Sequence, residues 1–85
     1  WGMIHKQVAD DALDADALAL AERLAAGPTV ALGMMRRQLH EALESDYAAA
    51  MQREADNQRA ARATQDSMEG GMAFLQKRKA EFKGA

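Results

Sequence analysis

Leu13-Asp14-Ala15-Asp16-Ala17-Leu18-Ala19-Leu20-Ala21-Glu22-Arg23-Leu24-Ala25-Ala26-Gly27-Pro28-Thr29-Val30-Ala31-Leu32 is the stretch that decides the fold class. Leu13, Ala17, Leu20, Ala21 and Leu24 recur at the spacing of one stripe on a 3.6-residue helix. Gly27 ends that helix, since glycine takes the closing conformation at least cost, and Pro28 has no N–H with which to continue it. In the first turn of the next helix the missing N–H costs nothing. The stretch therefore predicts a first helix over about Leu13 to Ala26 and a second over Pro28 to about Leu43.

Working outward, the second helix carries Leu32, Met35, Leu39, Ala42 and Leu43 as its stripe, with Val30, Ala31 and Met34 widening the apolar surface. A helix apolar on two sides wants cover on two sides. Ser45 is expected to cap a third helix, with Asp46 in its first turn and its end near Ala63. The third stripe is thin (Tyr47, Met51, Ala55, then Gln58), and Arg53, Glu54, Asp56, Asn57, Arg59 and Arg62 form its polar side. Thr64 or Asp66 should cap a fourth helix reaching about Arg78, with Met68, Gly71, Met72 and Leu75 on one face. Gly70-Gly71 inside it costs about 1 kcal/mol per glycine against alanine, which implies close packing against another backbone. Lys79 to Ala85 is expected to be frayed or extended, with Phe82 in need of a pocket. The opening Trp1 to Val8 reads as irregular, starts without a helix cap or an initiator methionine, and is expected to continue a larger fold. The reading is all-α, about four helices.

Composition limits what such helices can hold. Alanine occurs 20 times, whereas Leu, Ile, Val and Phe together occur 13 times. Alanine favours the helix but buries few methylenes, so these helices should form readily and grip each other weakly. At 85 residues a domain buries only roughly 60% of its unfolded surface even when well packed. Completion by neighbours, from the same polypeptide or another subunit, is the expectation. With no cysteine, neither a disulfide nor a thiolate metal site is possible; this suits a reducing, cytoplasmic setting. No run of about 18 apolar residues spans a membrane. A net charge of −2 argues against a general nucleic-acid binder.

Catalytic constellations are missing. His40 and Glu44 sit one helical turn apart, but two ligands make a poor metal site. Asp14-Ala15-Asp16 lacks the turn glycine and distal glutamate of a calcium loop. Ser45, Ser67 and the threonines lie at expected helix starts, where capping explains them. The informative place is the basic end. In Phe74-Leu75-Gln76-Lys77-Arg78-Lys79 a ring at one position and a cation three residues on share a helix surface. Such a pair can stack a base and hold a phosphate. It can equally be a core phenylalanine beside cations that cap a helix end.

Glu69-Gly70-Gly71-Met72-Ala73-Phe74-Leu75-Gln76-Lys77-Arg78-Lys79-Ala80-Glu81-Phe82 resembles the C-terminal signature of the crotonase superfamily, the enoyl-CoA hydratases and isomerases, roughly E-G-x-x-A-F-x-x-K-R-x-x-x-F. Gly27-Pro28-Thr29, Ala31 and Arg36-Arg37 resemble the family's G-P-x-x-A segment before a basic helix. Trp1-Gly2-Met3-Ile4 with Val8 resembles its G-L-V-x-x-V segment. The three patches occur in family order and span the chain. Pro28-Thr29 through Leu32-Gly33-Met34, Glu54 to Gln58 and Phe82-Lys83-Gly84 look nearest to ring-opening isomerases of the phenylacetyl-CoA pathway. Arg36-Arg37 departs from a usual lysine, and Lys79-Ala80-Glu81 lacks a proline that some members carry.

The resemblance implies that residues 1–85 are the C-terminal helical region of such an enzyme, without its α/β catalytic core. That region would build a trimer-type homo-oligomer and cover a coenzyme A thioester site. No catalytic residue carries over, and no tightly bound cofactor is implied. By the match, Phe74 and Lys77 are the coenzyme A contacts, lining the adenine and phosphate site. The rival expectation is a free-standing helical self-association or adaptor module, using the broad apolar face of the second helix.

Overall fold

The computed structural model describes residues 2–85; Trp1 of the opening motif lies outside the described residues. Four α-helices follow in order, α1 (Leu13–Ala25), α2 (Thr29–Ala42), α3 (Tyr47–Arg62) and α4 (Gln65–Leu75), with a short 3-10 helix (Asp10–Ala12) ahead of α1. No strand occurs among the described residues. None of the helices is long and apolar enough to cross a membrane.

The ends of the helices obey local chemistry. Gly27 N–H bonds to the Leu24 carbonyl and closes α1. Pro28 occupies the N-cap of α2 rather than its first turn, and its carbonyl takes the Leu32 N–H. The cap of α3 is Asp46, not Ser45: the Asp46 carboxylate accepts the Ala49 N–H at 2.8 Å. Ser45 turns back instead and donates its hydroxyl to the Glu41 carbonyl. Thr64 caps α4, accepting the Ser67 N–H at 3.1 Å.

The helices spread rather than close on one another. The Cα radius of gyration is 16.1 Å, against about 12 Å for a compact domain of this length. Accessible surface is 7443 Å², whereas a compact monomer of this mass exposes about 4,900 Å². Among the described residues the only buried apolar one is Ala73. Leu13, Leu18, Leu24, Met35, Leu39, Leu43 and Tyr47 are all exposed, Leu43 to 85%. The α2 stripe expected to be core is thus largely uncovered. Where α2 meets α3 the contact is partly polar: Asn57 donates to Gln38 at 2.9 Å, Gln38 donates to Glu54, and Arg53 pairs with Glu41 at 2.7 Å. Arg53, Glu54 and Asn57, expected on the solvated side of α3, are the residues that grip α2. Beyond the 3-10 helix, α1 has no comparable partner among the described elements.

The tail after α4 is held, not frayed. Asp66, in the first turn of α4, is 3% exposed. Its carboxylate accepts the Lys83 and Gly84 N–H groups, each at 2.8 Å, while its own N–H donates to the Ala85 carbonyl at 2.8 Å. Phe82 lies along α4, and its ring carbon stands 3.5 Å from where a Cβ on Gly70 would be. The close approach that Gly70 permits is therefore a ring rather than another backbone, and Gly71 faces open space. Asp66→Ala should cost about 1.5–3 kcal/mol, the usual worth of hydrogen bonds to a charged group. Amide hydrogen exchange at Lys83 and Gly84 should accelerate with it; unchanged protection there would contradict the clamp.

Candidate functional site

The end of α4 gathers most of the signature residues. The helix stops at Leu75, three residues short of the predicted Arg78. Its last turn closes as a Schellman motif: Arg78 N–H bonds to the Ala73 carbonyl at 3.0 Å and Lys77 N–H to the Phe74 carbonyl at 3.2 Å. The residue between these must be left-handed, and here it is Lys77, at φ 54°. It is the one non-glycine residue with positive φ among the described residues. Glycine is the usual occupant, because a Cβ in this conformation meets the following carbonyl and costs roughly 1–2 kcal/mol.

Around that turn runs an ionic clasp. Arg78 presents both terminal nitrogens to Glu69, Nη1 to Oε1 at 2.6 Å and Nη2 to Oε2 at 2.9 Å. Its Nε donates to the Gln76 side chain at 2.7 Å and Nη1 also to the Lys79 carbonyl at 3.1 Å. Glu69 additionally accepts the Glu81 N–H at 2.9 Å. The Arg78 bond, then the Glu81 N–H, holds the Glu69 carboxyl down to about 2 from its usual 4.5, and the same ion pair raises Arg78.

These contacts give most of the signature a structural purpose. Glu69 and Arg78 form the clasp, Gly70 admits Phe82, and Ala73 is buried. Phe74 and Lys77 remain. Phe74 is 83% exposed, so it is not a core residue. Lys77 is exposed, and its ammonium makes no hydrogen bond or ion pair among those of the described residues. The two do not share a helix face as the spacing suggested, because the turn intervenes. They stand on either side of the helix stop, linked by the Lys77 N–H to Phe74 carbonyl bond. Sequence reasoning missed the clasp: its partners are nine residues apart, outside the short-range spacing that pairs charges on one helix.

The described residues hold no group of three or more His, Cys, Asp or Glu able to bind a metal. A groove lined by Ala31, Met34, Met35, Leu39, Asn57 and Ala61 runs between α2 and α3 with a volume near 340 Å³. Its lining brings no nucleophile together with a base.

Comparison with known proteins agrees with the all-helical fold and with the resemblance of the motif to the crotonase superfamily. The sequence model described as enoyl-CoA hydratase/isomerase matches residues 1–85. The chain belongs to this family. It is 38% identical over 84 residues to the 1,2-epoxyphenylacetyl-CoA isomerase of Escherichia coli K12, covering 99% of the chain and 32% of that protein. It is 37% identical to a probable enoyl-CoA hydratase of Rhizobium meliloti, over 96% of the chain and 32% of the relative. An enoyl-CoA hydratase subunit I from Geobacillus kaustophilus superposes with a TM-score of 0.85 at 35% identity, over 92% of this chain and 30% of that one. The chain therefore spans about a third of the length of the relatives it matches.

The Glu69 carboxyl carries a pH prediction. Its pKa is depressed in the folded state, so the clasp contributes stability above about pH 4.5 and loses it as pH falls through about 2. A carbon-13 titration should place the Glu69 midpoint near 2; a midpoint near 4.5 would mean that the clasp does not form.

Proposed function

We propose that this chain is the C-terminal oligomerisation and coenzyme A-covering segment of an enoyl-CoA hydratase/isomerase family enzyme. The enzyme would act on acyl-CoA thioesters, in the cytoplasm, as a trimer-type homo-oligomer, and the segment alone would be inactive. The chemistry of the whole enzyme would be polarisation of the thioester carbonyl by backbone N–H groups, followed by proton transfer or water addition. Those groups belong to the α/β core, and no residue of this chain is assigned to them. The likeness to an epoxyphenylacetyl-CoA isomerase supports a ring-opening isomerase within the family.

The observation that carries the reading is Lys77. A strained left-handed residue persists where the surrounding structure holds it and its side chain has a use. Its ammonium has no hydrogen-bond or ion-pair partner among the described residues, and an exposed aromatic ring begins the same turn. An ammonium beside a flat ring suits the phosphate and adenine of coenzyme A. The wide apolar faces of α1 and α2 support the oligomerisation half, since such surface on a soluble protein marks contact with other protein.

Lys77→Gly tests the assignment because strain and binding respond in opposite directions. In the enzyme carrying this segment, glycine should leave stability equal or higher while raising KM for an acyl-CoA about tenfold with kcat unchanged. An unchanged KM would remove Lys77 from the coenzyme A site.

A further inference from the structure

The clasp encloses the turn on which Lys77 stands, and its hydrogen bonds reach nearly every neighbour of that residue. Gln76 on one side and Lys79 on the other are tied to the Arg78 guanidinium. Arg78 is itself fixed to the body of α4 through both oxygens of Glu69. Glu81, two residues further on, is fixed to the same carboxylate through its N–H. The Lys77 side chain takes no part. A left-handed lysine has an unstrained alternative, continuing the helix by one more turn. The bond from Arg78 N–H to the Ala73 carbonyl holds the turn against that alternative, and the guanidinium fork holds Arg78.

We propose that Glu69 is a positioning residue for the coenzyme A contact: with Arg78 it holds the turn after α4 so that Lys77 presents its ammonium beside Phe74 to the nucleotide end of the thioester. This rests on the assignment of Lys77 to that site. Glu69 does not touch the ligand; its carboxylate is spent on Arg78 and the Glu81 N–H. Its influence therefore reaches binding only through Lys77, which separates it from a residue that merely keeps the segment folded.

The experiment is a double-mutant cycle in the full-length enzyme with Glu69→Gln, Lys77→Ala and both together. KM and kcat are measured with an acyl-CoA and with the matching acyl-pantetheine, which lacks the adenosine and its phosphates. Glu69→Gln keeps the shape of the side chain and removes its charge. Alone it should raise KM for the acyl-CoA about fivefold, leave kcat unchanged, and leave the acyl-pantetheine reaction untouched. In the Lys77→Ala background it should add nothing. Arg78→Gln, which opens the clasp from the other side, must reproduce the pattern, so the test survives if one variant folds poorly. A KM rise for Lys77→Ala with none for Glu69→Gln, or rises that multiply in the double variant, overturns the positioning role and leaves the coenzyme A site standing. No rise for Lys77→Ala overturns the site and the positioning role with it.

Discussion

With Ala73 as the one buried apolar side chain among the described residues, this chain cannot draw its order from a hydrophobic interior of its own, and the polar contacts carry what order it has. The buried polar residue among the described ones is Asp66, and a second carboxylate, Glu69, lies one helical turn further along α4. Together they anchor the residues that follow α4 by accepting five backbone or guanidinium contacts at 2.6–2.9 Å. A charged acceptor shared among several donors makes short, directional bonds, and these can fix a tail where methyl groups are too few. Between α2 and α3 the same substitution of polar for apolar contact recurs, through Gln38, Asn57 and Arg53.

Polar anchoring leaves the apolar side chains free to face outward. Leucines and methionines on α1 and α2 remain uncovered, and the flat outline of 43 × 39 × 19 Å presents them on broad surfaces. Burial of that surface on a catalytic core or a second subunit would supply the stabilisation the segment lacks. The same arrangement shows how most of a family signature can serve the structure of the chain itself. Once the clasp, the glycine contact and the buried alanine are assigned, the exposed ring and the ammonium stand out as side chains with no hydrogen bond or ion pair among the described residues.

The helices were legible because alanine-rich amphipathic repeats with glycine, proline and threonine at their ends leave little choice. What escaped was decided by close competition or by distance. Ser45 and Asp46 are adjacent cap formers, and the extended backbone at Asp46 gave it the role. The end of α4 was hidden because lysine stands where glycine normally signals a stop, so the helix read on to Arg78. The Glu69–Arg78 pair spans that hidden stop, and no helical spacing announces it. The α2 stripe was correct as a pattern, but periodicity shows which face is apolar and not what covers it. Phe74 and Lys77 came from resemblance; the turn between them, and the strain at Lys77, came only from the fold.

Residues 2–85 do not enclose a hydrophobic core of their own. Thermal unfolding of the isolated polypeptide, followed by circular dichroism with light scattering at several concentrations, tests it most directly. A broad, weakly cooperative melt, or helicity that rises with self-association, is the predicted result. A sharp, concentration-independent transition of a compact monomer would contradict it.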